Sequence, residues 1–200
     1  MEHKEILKGY LPEKSVDTIY AWIVENKVHL KITPKRKTKL GDYKPPLRYN
    51  NHRISINHDL NKYLFLITVV HEFAHLLVWE KHKGNVKAHG KEWKSTYREL
   101  MLNFTGRGVF PHDIEEPLIQ SIANSKASST SEIALSRCLK KYDEHAHLPT
   151  LEELNENAVF AIEGGRRFIK GPKRRTRYKC QCLSNKKYYM VHALTPVYSE

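Results

Sequence analysis

The chain has 200 residues, which is enough for one domain of ordinary size and an appendage. Lysine and arginine outnumber aspartate and glutamate by 34 to 22, and the resulting net charge of +12 favours a polyanionic partner such as nucleic acid. The odd number of three cysteines argues against a secreted disulfide framework, and the charges within residues 1–14 argue against an export signal. We therefore expect a cytoplasmic protein that does not act at a membrane.

The first elements in the chain predict a helix and a small sheet. Apolar residues recur at helical spacing in residues 15–26, which predicts a helix. Residues 28–33 and 52–57 alternate apolar and polar side chains, which predicts strands. A charged loop and two prolines, Pro45 and Pro46, separate these strands and exclude a helix there. We expect two or three strands to pair in one sheet.

The most apolar part of the sequence predicts a long core helix over residues 60–81, capped by Asn57 or Asp59. Apolar residues cover nearly every face of this helix, so it should be buried. The stretch is short for a membrane span and has ionisable residues at its centre, which favours the protein interior over a bilayer.

A second helix of this region is predicted over residues 88–104. His89, Trp93 and Tyr97 fall on one stripe of this helix together with other apolar residues. We therefore expect His89 to sit at the start of the helix and to face the core.

The last third of the chain has a different texture. Weaker helices are predicted over residues 111–124 and 131–142, around a serine-rich link. Short strands separated by turn residues are predicted at 159–162, 167–169, 176–182, 187–191 and 196–198. The predicted organisation is an α+β domain over residues 1–125, a helical connector over 126–157 and a basic β-rich module over 158–200.

The central helix carries the motif H-E-x-x-H. His71 and His75 lie four residues apart, so both imidazoles share one helix face and can bind one metal ion. Zn²⁺ is well suited to neutral imidazole, and a catalytic site pairs three protein ligands with a water. Glu72 is the expected general base that activates this water. The alternative, two core histidines and a glutamate in an ion pair, is disfavoured because the surrounding residues are so apolar.

The candidates for the third ligand are His82, His89, Glu92 and Glu99. A metzincin would have glycine at position 78 and histidine at position 81, whereas this chain has Val78 and Lys81. Glu92 or Glu99 would give a thermolysin-like carboxylate ligand. We favour His89, because its place at the start of the next helix closes the site.

The two motifs together resemble those of the SprT-like, or Spartan-type, zinc metallopeptidase family. In that family H-E-x-x-H is followed by H-G-x-E-F/W, which matches residues 71–75 and the run His89-Gly90-Lys91-Glu92-Trp93. Gly41 and residues 54–57 also look like the family's glycine and strand before the metal helix. The resemblance covers roughly residues 16–111.

The resemblance implies a zincin-like metallopeptidase domain, with a small sheet and an active-site helix pair. It implies that His71, His75 and His89 bind one Zn²⁺ and that Glu72 is catalytic. Family members act on DNA-associated proteins, as in DNA–protein crosslink repair, or are linked to transcription elongation. For the oxyanion, Tyr97 and His112 are candidates that the sequence does not assign.

Some family members also carry a C-terminal zinc ribbon, which requires two pairs of cysteines. This chain has Cys180 and Cys182 as C-x-C, and Cys138 lies far upstream. We therefore expect a C-terminal all-β module that lacks an intact zinc ribbon, with both cysteines packed in a strand. A second zinc held by Cys180, Cys182 and His192 is the alternative.

The C-terminal module also carries a dense basic run. Its candidate nucleic-acid contacts are Arg166, Arg167, Lys173, Arg174, Arg175, Arg177 and Lys179. Aromatic residues are interleaved with them, namely Phe168, Tyr178, Tyr188 and Tyr189. Either these rings stack on unpaired bases of DNA, or they form the core of the module beneath a solvated rim of charge.

Two functions are consistent with these features. The first is a zinc endopeptidase acting on DNA-associated proteins, brought to single-stranded or structured DNA by the basic module. The second is a nucleic-acid or transcription-associated binding protein that keeps a structural zinc site and cleaves little. A fourth protein ligand such as His82 or Glu99 would favour the second function.

Overall fold

The computed structural model describes residues 2–36, 38–47, 50–123, 129–144 and 146–199. Within these ranges the chain forms six α-helices and two β-sheets, which confirms the predicted mixture of helices and sheets. The chain divides into two compact units, Met1–Ser125 and Lys126–Glu200.

The first unit contains five α-helices, a short 3-10 helix (Glu13–Ser15) and a three-stranded sheet among its described residues. The helices are α1 (Glu2–Tyr10), α2 (Val16–Glu25), α3 (Lys62–His82), α4 (Lys91–Met101) and α5 (His112–Ala123). The strands are β1 (His29–Thr33), β2 (Gly41–Lys44) and β3 (Arg53–Asn57). The helix and two strands expected in this region are confirmed, whereas α1 and β2 were not predicted.

The sheet has the order β1-β3-β2, with β3 in the centre. β1 runs parallel to β3, and β2 runs antiparallel to it. Ile54 and Ile56 of β3 are fully buried, as their alternation predicts. The antiparallel strand β2 therefore forms one edge of the sheet.

The predicted cap of α3 was wrong. Asn57 does not cap this helix, because its side chain is buried and bonded to the loop before β2: Arg36 Nε donates to Asn57 Oδ1 at 2.7 Å, and Asn57 Nδ2 donates to the Lys39 carbonyl at 3.1 Å. Asn61 is the N-cap instead, and its Oδ1 accepts from the Leu64 N–H at 3.0 Å.

Helix α3 is the core of the first unit. By length and hydropathy alone it would suffice to cross a membrane, but 56% of its most apolar window is buried inside the protein. The Trp22 ring of α2 lies 5.5 Å from the rings of both Phe73 and Phe104. The helix thus serves as the scaffold on which the other elements pack.

The predicted start of α4 was also wrong. The helix begins at Lys91, with Gly90 as its N-cap in an extended conformation. His89 has a left-handed backbone with φ of 58° and lies in the turn before the helix, where it is exposed. The expectation that His89 lies on the buried stripe of α4 is therefore incorrect.

The second unit contains helix α6 (Ser129–Lys140), a short 3-10 helix (Leu151–Glu153) and six strands among its described residues. The strands are β4 (Val159–Ala161), β5 (Arg167–Ile169), β6 (Lys173–Arg174), β7 (Arg177–Cys182), β8 (Tyr188–His192) and β9 (Tyr198–Ser199). They form one sheet of order β6-β7-β5-β4-β9, with β8 paired to β7. Five of these strands were predicted, and the two-residue strand β6 was not.

The core of the second unit contains Phe160, Phe168, Tyr178, Cys180 and Cys182. Alternate residues of β7 face this core, so both cysteines are buried on the same side of the strand.

Candidate metal centre

Two of the predicted metal ligands lie on consecutive turns of α3. The imidazole rings of His71 and His75 have centroids 4.9 Å apart. Both side chains are half-buried, because the helix face that carries them borders the packed interior and the solvent. The four-residue spacing thus gives the geometry expected from helical periodicity.

The third histidine is placed by a tight turn rather than by a helix. The Gly90 N–H donates to the Lys87 carbonyl at 2.9 Å, which closes a turn with His89 as its third residue. A Cβ on Gly90 would lie 2.9 Å from the same carbonyl oxygen, so only glycine fits without a shift. The left-handed backbone of His89 then directs its ring toward α3, with centroids 4.9 Å from His71 and 4.7 Å from His75.

The three histidines converge through their Nε2 atoms. The distance is 3.2 Å between His71 and His75, and 3.0 Å from His89 to each of the other two. A neutral imidazole nitrogen either donates or accepts, so at least two of the three share a role and their contact is not a hydrogen bond. Nitrogens about 2.0–2.1 Å from a zinc ion at tetrahedral angles lie about 3.3 Å apart. The triad therefore has the size of a metal site, and it can hold a metal ion.

The rejected candidates for the third ligand lie elsewhere. Among the described residues, the group of converging metal-ligand atoms contains only the three histidines. Glu99 accepts a hydrogen bond from Ser95 Oγ at 3.0 Å instead, and neither His82 nor Glu92 belongs to the group.

The protonation of the triad suits metal binding. Burial lowers the pKa of His71 to about 3 and that of His75 to about 4, and the neighbouring imidazoles add to both shifts. Burial also lowers the pKa of His89. The neutral rings that result are the form in which histidine binds metals.

Glu72 is held close beside this triad on α3. Its side chain is 6% exposed, and burial together with the charge of Asp42 raises its pKa to about 7. The Tyr43 backbone N–H donates to its carboxylate. A Cβ on Gly41 would lie 2.5 Å from Glu72 Oε1, so the strand passes this close only because residue 41 is glycine. Glu72 can therefore exchange a proton near neutral pH.

Trp93 and Tyr97 support the triad from α4. The Trp93 ring lies 4.5 Å from His71 and 4.7 Å from His89, and Tyr97 stacks on Trp93 at 5.0 Å. Burial raises the pKa of Tyr97, which favours its neutral form. Tyr97 thus serves as packing beneath the site, whereas the other oxyanion candidate, His112, is an exposed residue at the start of α5.

A hydrogen-bonded network that sequence reasoning missed joins β2 to α3. Tyr43 Oη lies 2.9 Å from His52 Nδ1, and His52 Nε2 lies 2.8 Å from Glu80 Oε1. Because the Glu80 carboxylate accepts, Nε2 carries a proton, and in the neutral imidazole Nδ1 then accepts from the Tyr43 hydroxyl. No motif spacing relates these three residues, so no pattern in the sequence predicts the network.

The seven candidate nucleic-acid contacts all lie on the surface of the second unit. Lys170, from the same basic run, is buried instead and donates to the carbonyls of Glu152 and Leu154 at 3.2 and 2.5 Å. Among the interleaved aromatics, only Tyr188 is well exposed, at 59%.

The remaining three of these aromatics belong to the interior. Phe168 and Tyr178 are core residues, and Tyr189 packs against the core. The interpretation of these rings as the module's core is thus correct for three of the four.

The two cysteines of β7 are free thiols with local partners. Cys182 Sγ lies 3.2 Å from Ser184 Oγ, and Cys180 Sγ donates to the Tyr178 carbonyl at 3.6 Å. His192 Nδ1 accepts from the Leu194 N–H at 3.2 Å. Across the described part of the second unit, no three histidine, cysteine or acidic side chains converge as the triad does.

Comparisons with known proteins agree with the motifs. Residues 14–114 match the sequence model of the SprT-like family. A 56-residue segment is 63% identical to Protein SprT of Enterobacter sp. (strain 638) and covers 28% of this chain and 33% of that protein. Segments of 35 residues are 63% identical to Protein SprT of Cronobacter sakazakii and of Erwinia tasmaniensis, covering 17% of this chain and 20% of each relative.

The aligned part of the chain thus spans a third or less of the length of these relatives. No solved structure matches the chain significantly.

Proposed function

This chain belongs to the SprT-like family, and we propose that it is a zinc-dependent endopeptidase acting on DNA-associated proteins. The observation that carries the proposal is the convergence of three imidazole nitrogens, 3.0–3.2 Å apart, beside a buried glutamate. Neutral nitrogen donors in this number and spacing fit Zn²⁺ with one coordination position left open. Neither His82 nor Glu99 closes that position, which supports a catalytic site over a structural one.

The residues of the site divide the chemistry between them. His71, His75 and His89 would hold the zinc ion, which lowers the pKa of a water and polarises the scissile carbonyl. Glu72, with its pKa raised to about 7, takes a proton from that water and returns it to the leaving amine. The N–H of Tyr43 holds the carboxylate in position.

An extended peptide is the substrate that fits next to this site. Strand β2 ends the sheet order, so its outer edge pairs with no other strand among the described residues. An edge strand offers main-chain donors and acceptors to a peptide that adds as a further strand. Because β2 also contacts Glu72 through Gly41 and Tyr43, a peptide on this edge lies beside the general base.

The basic surface of the second unit supports action near nucleic acid. Its seven exposed cations are suited to neutralising phosphates, and Tyr188 offers a ring on which an unpaired base can stack. We propose single-stranded or structured DNA as the partner of this surface, and the cytoplasm as the place of action.

The first experiment measures metal content and proteolysis on the same preparations. We expect about one zinc per chain in the wild type, and loss of that zinc in His89→Ala. We also expect cleavage of a DNA-binding protein that single-stranded DNA stimulates and that Glu72→Gln abolishes while it keeps the zinc.

Zinc without cleavage would support the alternative, a nucleic-acid or transcription-associated binding protein with a structural zinc. In that case DNA affinity would be the same in the wild type and in Glu72→Gln. Absence of zinc from the wild type would contradict both functions.

A further inference from the structure

A small pocket opens beside His75, between the end of β2, helix α3 and the turn before His89. Its volume is about 230 Å³. The lining side chains that matter here are Tyr43, Pro45, Val78, Trp79, Val86 and Trp93. The pocket therefore touches both the candidate metal centre and the strand edge to which we assigned the peptide.

The wall of this pocket is apolar. Val78 and Trp93 are buried and pack with the half-buried Val86 in one cluster. The Tyr43 hydroxyl is committed to His52, so Tyr43 contributes mainly its ring. Among the described residues no acidic side chain lines the pocket, and Lys87 is the one Lys or Arg in that lining. A charged group placed against the remaining wall would lose hydration without gaining a partner of opposite sign.

The size of the pocket limits its occupant. Pockets for free ligands and cofactors have about 300–1,000 Å³, so 230 Å³ suits a single amino-acid side chain better. In an extended peptide, alternate side chains point to the same face. A peptide paired along β2 can therefore direct one of its side chains into this pocket.

Trp93 presents its ring, not its N–H, to this pocket. The side chain is 8% exposed, and its Nε1 is buried without a hydrogen-bond partner among the described residues. Because that nitrogen has no surface open to the pocket, Trp93 adds apolar surface to the wall.

We propose that this pocket binds one uncharged apolar side chain of the substrate and that Val86 sets how large that side chain is. The proposal rests on the endopeptidase function proposed above. It adds a substrate preference that neither the metal site nor the edge strand provides by itself.

The test of specificity compares cleavage sites in a mixed peptide library. With zinc-loaded wild-type chain, we expect one position near the cut bond to be enriched in leucine and methionine and depleted of charged residues. Val86→Met should lower kcat/KM for leucine at that position about tenfold relative to alanine, and Val86→Ala should favour larger aromatic side chains.

Val24 provides the matched control, because it is 57% exposed in the same unit and lies outside this pocket. Val24→Met and Val24→Ala should keep the wild-type preference. Equal cleavage at all side-chain types, or the same preference in the Val86 variants as in the wild type, would overturn the proposal.

A binding measurement separates this proposal from the peptidase function. The three tryptophans give three indole N–H signals in a ¹⁵N spectrum, and two of them, Trp79 and Trp93, line the pocket. Titration with N-acetyl-leucinamide should shift these two signals and leave that of Trp22 unchanged, whereas N-acetyl-glycinamide should shift none.

Shifts with this probe in a zinc-loaded chain that cleaves no peptide would refute the peptidase function and leave a pocket for apolar groups. Cleavage without probe-induced shifts at Trp79 and Trp93 would refute the pocket and leave the peptidase.

Discussion

In the first unit the groups assigned to chemistry lie in or beside the packed interior, apart from the exposed His89, whereas in the second unit the groups assigned to binding lie outside a separate core. Glu72 and Trp93 are buried residues that also border the triad. The seven candidate nucleic-acid contacts of the second unit are all exposed, and its core combines aromatic residues and cysteines with aliphatic side chains. Substitutions of the buried residues at the first site should therefore affect folding and function together, whereas substitutions of the exposed cations of the second unit should affect binding alone.

Metal removal gives the largest expected contrast between the units. Bound zinc at about 1,000 times its dissociation constant stabilises a fold by about 4 kcal/mol, so chelation should reduce amide-exchange protection in α3. Protection of β7 should not change, because it belongs to the other unit. Hydrogen exchange measured by mass spectrometry on the full chain, with and without chelator, checks this.

His89→Ala is the control for chelation, since it should already show the low protection and respond little to the chelator. Equal loss of protection in α3 and β7 would contradict the separation of the two units.

A methyl group at position 41 should damage catalysis more than the fold. The added Cβ of Gly41→Ala would meet Glu72 Oε1 at 2.5 Å and Thr68 Cγ2 at 2.7 Å, so the carboxylate must move. A displacement of about 1 Å costs about 10²-fold in rate. We expect kcat to fall by about that factor while zinc content stays at the wild-type level.

Gly9→Ala is the matched control, because nothing lies within 4 Å of the Cβ it would add in α1. It should leave kcat unchanged. Normal activity in Gly41→Ala would show that the position of Glu72 does not depend on its contact with β2.

Removal of surface cations should weaken DNA binding without altering the fold. In a variant with Arg174→Ala, Arg175→Ala and Lys179→Ala, three exposed cations are lost. If each contacts a phosphate of single-stranded DNA, the slope of log affinity against log salt falls by about 2. The melting temperature and the zinc content should not change.

Lys170→Met is the contrasting variant in the same basic run. It removes the hydrogen bonds to the Glu152 and Leu154 carbonyls, so it should lower the melting temperature and leave the salt slope unchanged. If the salt slope of the triple variant equals that of the wild type, nucleic acid must bind through other residues.

The smallest expected effect concerns the backbone of His89. A residue other than glycine in the left-handed region costs about 1–2 kcal/mol, and asparagine tolerates this region best among the others. His89→Asn should therefore stabilise the metal-free protein by up to about 1 kcal/mol relative to His89→Ala, and both should lose zinc. Urea unfolding in the presence of chelator measures this difference, and equal stability of the two variants would contradict the strain at this position.

The parts of the structure that were predictable are those with strong local signals. Apolar residues on every face identified α3, and fixed spacing within two motifs selected His71, His75 and His89 for one site. The structure brings these three side chains together, although their role as zinc ligands stays a prediction.

The missed features depend on contacts between distant parts of the chain. Strand β2 has only four residues, without alternation, and exists because it pairs with β3. Asn57 looked like a helix cap but is used to hold the Arg36 loop, which no local rule reveals. A residue other than glycine rarely adopts the left-handed backbone that His89 has. Helical periodicity alone therefore predicted, wrongly, that the helix includes His89.

The three histidines also lie in parts of the structure that differ in local stability. His71 and His75 are fixed by the most deeply buried helix of the unit, whereas His89 sits in a short exposed turn between α3 and α4. Exposed turns open locally far more often than core helices. Under the proposed ligand set, fluctuation of this one turn would govern how fast metal exchanges, so the off-rate should respond to substitutions in residues 84–90 that leave the overall stability of the protein unchanged.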